Sequence, residues 1–182
     1  VMCSDKTGTI TQGKVKLDAA LDCNGNKSAN IYRLAAINSH FQEGYANPID
    51  SAILDNNTDS FSNYEKLFEI PYSFETKLLS VIVRTGQNSS EKNIMVTKGA
   101  LTNVLDACKS YESSDNSTGN IEDVKSQILD MFDKYSSQGY RVLGVSYKFV
   151  DDGADIKNQS AEEMIFAGLL LFIDPLKDDI KD

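Results

Sequence analysis

The chain has 182 residues, a net charge of -9 and a pI of about 4.6. It carries no cluster of Lys and Arg, which argues against a nucleic-acid or anionic-membrane surface built on a basic patch. A hydrophobic share of 41% suffices for one good-sized globular core, and the longest apolar run, residues 164–173, is far short of the roughly 18 residues that a spanning helix needs.

The opening stretch, Cys3-Ser4-Asp5-Lys6-Thr7-Gly8-Thr9, sets one carboxylate among small hydroxyl residues, with a Lys beside it and a Gly where the backbone can turn tightly. Residues 14–21 alternate weakly and are expected to leave this loop as a strand, and Asp22-Cys23-Asn24-Gly25-Asn26 is a turn cluster. A helix follows, capped by Asn30, with Ile31, Leu34, Ala35 and Asn38 on one face. Gly44 and Pro48 punctuate the join to a second helix, where Pro48 suits the first turn and Ile49, Ala52 and Ile53 form the apolar side. A polar loop over 55–63 leads to a strand at 66–72, which Pro71 confines to a sheet edge or a bend. Strands at 78–85 and 93–98 pair as a hairpin across a polar loop. Lys98-Gly99-Ala100 closes the hairpin and opens a helix whose buried stripe is Leu101, Val104, Leu105 and Cys108.

A mobile Ser/Asn/Asp/Gly loop is expected over 113–120. The longest amphipathic helix follows, marked by Ile121, Val124, Ile128, Met131, Phe132 and Tyr135 and ended by Gly139. Residues 140–150 read as a strand, 151–160 as a polar loop and 164–173 as a central strand. About six strands and four helices that do not alternate one for one predict an α+β fold, a mostly antiparallel sheet packed with helices. Cys3, Cys23 and Cys108 are odd in number and widely spaced, so neither a disulfide framework nor a metal cluster is expected.

Several residues could carry chemistry. Asp5 could be a covalent nucleophile that becomes an aspartyl-phosphate, with Lys6, the hydroxyls of Thr7 and Thr9 and the N–H groups around Gly8 holding phosphoryl oxygens. The same cluster also suits an ordinary turn. There is no Gly-x-x-x-x-Gly-Lys-Ser/Thr and no Gly-x-Gly-x-x-Gly, so any nucleotide is held in another way. Tyr72 and Phe74 alternate as core aromatics commonly do. Lys98-Gly99-Ala100 combines a strand end, a permissive Gly and a helix N-terminus, a setting that suits an anion and lets a ligand approach the backbone. Asp50 fits an ordinary first-turn acid, Arg141 a solvated strand arginine, and His40, the single His, a helix-end residue.

Asp5-Lys6-Thr7-Gly8-Thr9-Ile10-Thr11 resembles the signature of P-type ATPases, cation pumps that are phosphorylated on this Asp. The resemblance runs through nearly the whole chain. Ile70-Pro71-Tyr72-Ser73-Phe74-Glu75-Thr76-Lys77-Leu78-Leu79-Ser80-Val81 is similar to the family's nucleotide-domain stretch, with Tyr72 on the adenine-stacking aromatic and Lys77 on the pocket lysine. Here the family's basic run is reduced to Lys77, and Tyr stands for Phe. Lys98-Gly99-Ala100 matches the family's Lys-Gly-Ala. Asn47-Pro48-Ile49-Asp50 resembles its Asn-Pro-x-Glu, which sets Asp50 to accept from the adenine amino group. Arg141 matches a Gly-x-Arg-Val strand that meets the phosphates, and Asp174-Pro175-Leu176-Lys177 resembles the interdomain hinge, with Leu176 a departure.

The resemblance implies that residues 1–13 are the outgoing edge of a phosphorylation domain, 14–167 a nucleotide-binding domain and 168–182 the return edge. It implies ATP and Mg²⁺ as ligands, Asp5 as the phosphate acceptor, and the phosphorylation, actuator and membrane domains of the same pump as partners, with no nucleic acid. The chain is then expected to be a soluble cytoplasmic piece of a membrane protein. Asn38-Ser39-His40-Phe41-Gln42 looks most like the magnesium-transporting branch. The 182 residues contain no Gly-Asp-Gly-x-x-Asn-Asp loop to complete a metal site, so binding without turnover is expected. A haloacid-dehalogenase-type phosphatase shares the Asp-x-x-x-Thr loop, but Thr7 stands where it needs a second acid. A non-enzymatic binding module is the other alternative.

Overall fold

The longest apolar run of the sequence forms the strand with the most neighbours. The computed structural model describes residues 14–44, 47–55, 57, 60–86, 93–114, 117–151 and 153–175. Its elements are β1 (Lys16–Leu21), α1 (Ala29–Phe41), α2 (Pro48–Leu54), β2 (Tyr64–Ile70), β3 (Leu78–Thr85), β4 (Asn93–Ala100), α3 (Leu101–Ala107), β5 (Cys108–Glu112), β6 (Thr118–Asn120), α4 (Lys125–Ser137), β7 (Arg141–Val150) and β8 (Met164–Ile173). β8 pairs with β7 along one edge. Its other edge is shared, with β5 parallel against the first half and β1 antiparallel against the second. A strand with neighbours on both edges and helices on both faces reads as continuous hydrophobe, as Met164–Ile173 does.

The sheet runs β2-β3-β4-β7-β8-β5-β6, with β1 also on β8, and every named pair except β5–β8 is antiparallel. Side-chain alternation sorts the core into two layers. Val81, Val83, Val96, Val145, Leu170 and Phe172 meet α1 and α2 through Ile31, Leu34, Ile49 and Ile53. Ile82, Met95, Leu169 and Leu171 meet α3 and α4 through Leu101, Val104, Leu105 and Ile128. Among the described residues no helix is long and apolar enough to cross a membrane.

The α+β class and mostly antiparallel sheet are as expected, with two more strands than the count of six. β5 begins at Cys108, which was expected to close a helical stripe; the helix stops at Ala107 because the chain turns there to pair with β8. β6 occupies the end of the expected 113–120 loop, where it pairs with β5 across Ser110–Asn120, Tyr111–Gly119 and Glu112–Thr118. Neither strand was legible, because each is short and polar. Asn30 is not the cap of α1: that place falls to Ser28, whose side chain makes no capping bond. The α2 start follows expectation, with Asn47 Oδ1 accepting from Ile49 N at 3.0 Å and Pro48 in the first turn. Gly139 takes a φ of +87° just past α4, the left-handed position that suits glycine. The expected boundary at 167/168 falls inside β8.

Candidate nucleotide cleft

One end of the sheet opens into a cleft of about 700 Å³. Its walls are the start of α2, the segment from Glu69 to Lys77 that joins β2 to β3, the end of β4 and the start of β7. Asp50, Tyr72, Lys77, Lys98, Gly99 and Arg141, six residues singled out in the sequence, all line it. They are far apart in sequence and are brought together by the sheet register, by the turn before β3 and by the docking of α2 beside the end of β4. Asp5, Lys6 and Thr7 lie outside the described residues. Asp174 lies just past β8, half-buried, and does not line the cleft.

The floor is a closed polar triangle. Lys98 Nζ donates to Asp50 Oδ1 and, at 2.7 Å, to Ser39 Oγ, while the Ser39 hydroxyl donates to Asp50 Oδ1 at 2.7 Å. All three residues are buried. Burial pushes the Lys98 ammonium below the usual lysine range, and the Asp50 carboxylate pulls the other way. Lys98 is therefore a cation already answered by an anion of the chain, rather than a free charge awaiting a ligand. Asp50 is not an ordinary solvated first-turn acid either. Its second oxygen makes no hydrogen bond among the described residues.

Gly99 is required by the protein itself. A Cβ built there would sit 2.2 Å from the Lys77 carbonyl oxygen and 2.8 Å from Leu78 Cδ2. Ala100 N donates to that same carbonyl at 3.2 Å, which draws the two chain segments together. Lys77 itself adopts a φ of +55°. Its side chain and that of Arg141 are exposed, and neither has an ion-pair partner among the described residues. Tyr72 is 49% exposed beside Pro71 and Phe74.

Sequence reasoning missed Ser39, Glu69 and Phe74. A signal for the first existed: Asn38 lies on the buried stripe of α1, and a polar residue in an apolar stripe must find partners. Asn38 Nδ2 donates to the carbonyls of Val96 at 2.8 Å and Leu79 at 3.2 Å, pinning α1 to β3 and β4 and presenting Ser39 next to Lys98. Glu69 Oε2 accepts from Lys66 Nζ at 2.7 Å and from Glu43 N at 3.0 Å, and so ties the segment after α1 to the edge strand. Burial works against the Lys66 charge, but Glu69 and Glu43 outweigh it and hold the ammonium above its usual range. His40 sits in the last turn of α1, stacked on Phe61 at 4.4 Å, away from the cleft.

The profile of a family described as "P-type ATPase, cytoplasmic domain N" matches residues 18–179. The chain is 30% identical over 184 aligned residues to "Magnesium-transporting ATPase, P-type 1" of Escherichia coli K12, covering 98% of this chain and 20% of that protein. The protein of the same name from Salmonella typhimurium is 29% identical, with the same coverage. "Calcium-transporting ATPase 1" of Bacillus cereus is 27% identical over 205 aligned residues, covering all of this chain and 22% of that protein. The chain thus spans about a fifth of the length of these curated relatives. It belongs to the P-type ATPases, and the part of them that it matches is their cytoplasmic domain N.

Proposed function

We propose that the cleft binds ATP and that, in an intact pump on the cytoplasmic side of a membrane, this domain delivers the γ-phosphate to Asp5. The observation that carries the reading is the convergence of Asp50, Tyr72, Lys77, Lys98, Gly99 and Arg141 on one cleft of about 700 Å³. The lining suits the parts of ATP. Tyr72 offers a half-exposed ring face for adenine. The second carboxylate oxygen of Asp50 can accept from its amino group. Lys77 and Arg141, unpaired among the described residues, can meet the phosphates at the rim.

Bound with Mg²⁺, ATP would supply the phosphoryl group that Asp5 accepts, and the aspartyl-phosphate would drive transport. Among the described residues no three His, Cys, Asp or Glu side chains gather into a metal site, and we assign none of the described residues as a ligand to Mg²⁺. Its own work is to orient the base, hold the phosphates and exclude water from the floor that Lys98 and Asp50 close. Residues 1–13 and those after β8 would be edges of the phosphorylation domain, with Asp174 at the hinge. Magnesium is the cation we favour. Two of the relatives named above are magnesium-transporting, and the segment Asn38-Ser39-His40-Phe41-Gln42 supports the same branch.

Isothermal titration of the 182-residue chain with ATP tests the reading. Weak binding that Tyr72→Ala abolishes in large part, without hydrolysis, is expected. No heat at millimolar ATP from a folded chain would refute it.

A further inference from the structure

Phe74 is 89% exposed, more than any other large apolar side chain of the described residues. Leaving a phenylalanine in water forgoes a burial gain that folds ordinarily take. Here the exposure is built in. Ser73 Oγ accepts from the N–H groups of Glu75 at 3.2 Å and Thr76 at 3.4 Å. Lys77 N donates to the Ser73 carbonyl at 2.7 Å, Ser73 N donates to the Leu78 carbonyl at 3.3 Å, and Lys77 takes the left-handed conformation that closes the turn. The turn therefore holds Phe74 outward on the cleft wall, where its ring meets that of Tyr72 at 5.4 Å and 85°. Two perpendicular rings make a corner that offers a face and an edge to a flat aromatic group.

The charges of the cleft point the same way. The Lys98 ammonium is answered by Asp50, and the Glu69 carboxylate on the wall is answered by Lys66. Only Lys77 and Arg141 remain as unpaired cations among the described lining residues, in a chain of net charge -9. Beside these two cations the described lining offers a ligand the flat apolar surface of Tyr72 and Phe74.

We propose that Phe74 is a specificity-determining residue of the cleft: with Tyr72 it forms an aromatic corner that selects a purine base over a pyrimidine. This rests on the ATP reading above. A purine covers more of the corner than a pyrimidine, so the preference depends on both rings being present.

The test is calorimetric titration of the 182-residue chain and of Phe74→Ala with ATP and, separately, with UTP at one Mg²⁺ concentration. The wild-type chain should prefer ATP. Phe74→Ala should weaken ATP between about two- and tenfold, the range that one aromatic pair contributes. It should leave UTP nearly unchanged, so the ATP-to-UTP preference shrinks. Its unfolding temperature should match wild type, since the side chain packs on little. Phe74→Tyr should keep the preference. Equal wild-type affinity for ATP and UTP, or a Phe74→Ala variant that keeps the wild-type preference, overturns the proposal while leaving the ATP reading standing. A folded wild-type chain that binds neither nucleotide overturns both.

Discussion

Lys98 at the end of β4 and Asp50 in the first turn of α2 form an ion pair with only 6% and 8% of their side chains exposed. The pair joins the sheet to the helix layer and makes the floor of the cleft, with Ser39 of α1 as the third member. Breaking a buried pair from one side leaves an uncompensated charge. Lys98→Met should therefore cost about 3–5 kcal/mol, read as a lower urea midpoint. Asp50→Leu combined with Lys98→Met should recover much of the loss, because both desolvation penalties go together. A Lys98→Met chain as stable as wild type would contradict this.

Asp22 is the second buried acid with a clear role. Its Oδ1 accepts from Asn26 N at 2.8 Å and Asn24 N at 2.9 Å, and its Oδ2 accepts from the Ser114 hydroxyl at 2.9 Å. Burial pushes its carboxyl pKa up, but these hydrogen bonds outweigh burial and hold it below the unfolded value of about 3.8. A depressed folded pKa gives stability that is present above the unfolded pKa and is lost as pH falls through the folded one. Asp22→Asn should thus cost about 1–2 kcal/mol at neutral pH. The gap to wild type should close as pH falls below about 3.8. A gap that stays constant through acid would show that the charge plays no part. Chemical unfolding across pH provides the measurement.

Lys77 should separate stability from binding. A φ of +55° is costly for a residue with a Cβ and free for glycine. Lys77→Gly should raise stability by up to about 1 kcal/mol, yet weaken ATP by removing a rim cation. Thermal unfolding and calorimetric titration of one variant would show the two quantities moving in opposite directions.

Gly99→Ala probes the opposite constraint. Its methyl group would meet backbone 2.2 Å away, and the Lys77 carbonyl cannot retreat without losing its bond to Ala100 N. A loss of about 1–3 kcal/mol is expected, the range for overpacking. Neutral behaviour in urea unfolding would contradict the close approach.

The two described cysteines should be inert in the folded chain. Burial pushes the Cys108 thiol up to about 12, and burial followed by the Asp22 charge raises that of Cys23. Few thiolates form at neutral pH, and neither sulfur is accessible. A thiol reagent at pH 8 should label Cys23 and Cys108 only after unfolding, as peptide mapping would reveal.

Much of this architecture is legible in the residues, and the exceptions have physical causes. β8 is a ten-residue apolar run, Gly139 follows the end of α4 as expected, and β2 stops just before Pro71, short of the expected end at 72. β5 and β6 carry Lys109, Ser110, Glu112, Thr118 and Asn120, polar residues whose strand state comes from their neighbours, β8 for β5 and β5 for β6. For the cleft, local motifs announce Asp50, Tyr72, Lys77, Lys98, Gly99 and Arg141. What local sequence cannot announce is partnership across the fold. That Lys98 finds Asp50 depends on α2 docking beside the end of β4, and that Gly99 must lack a Cβ depends on where Lys77 turns.

On the function proposed above, ATP binds between Asp50, Tyr72, Lys77, Lys98, Gly99 and Arg141. The most direct measurement is a ¹H–¹⁵N NMR titration of the 182-residue chain with ATP. Shifts that concentrate on the start of α2, residues 69–79, the end of β4 and Arg141 are the predicted result. No shifts at millimolar ATP, or shifts centred elsewhere, as on the Asp22 turn and Ser114, would contradict it.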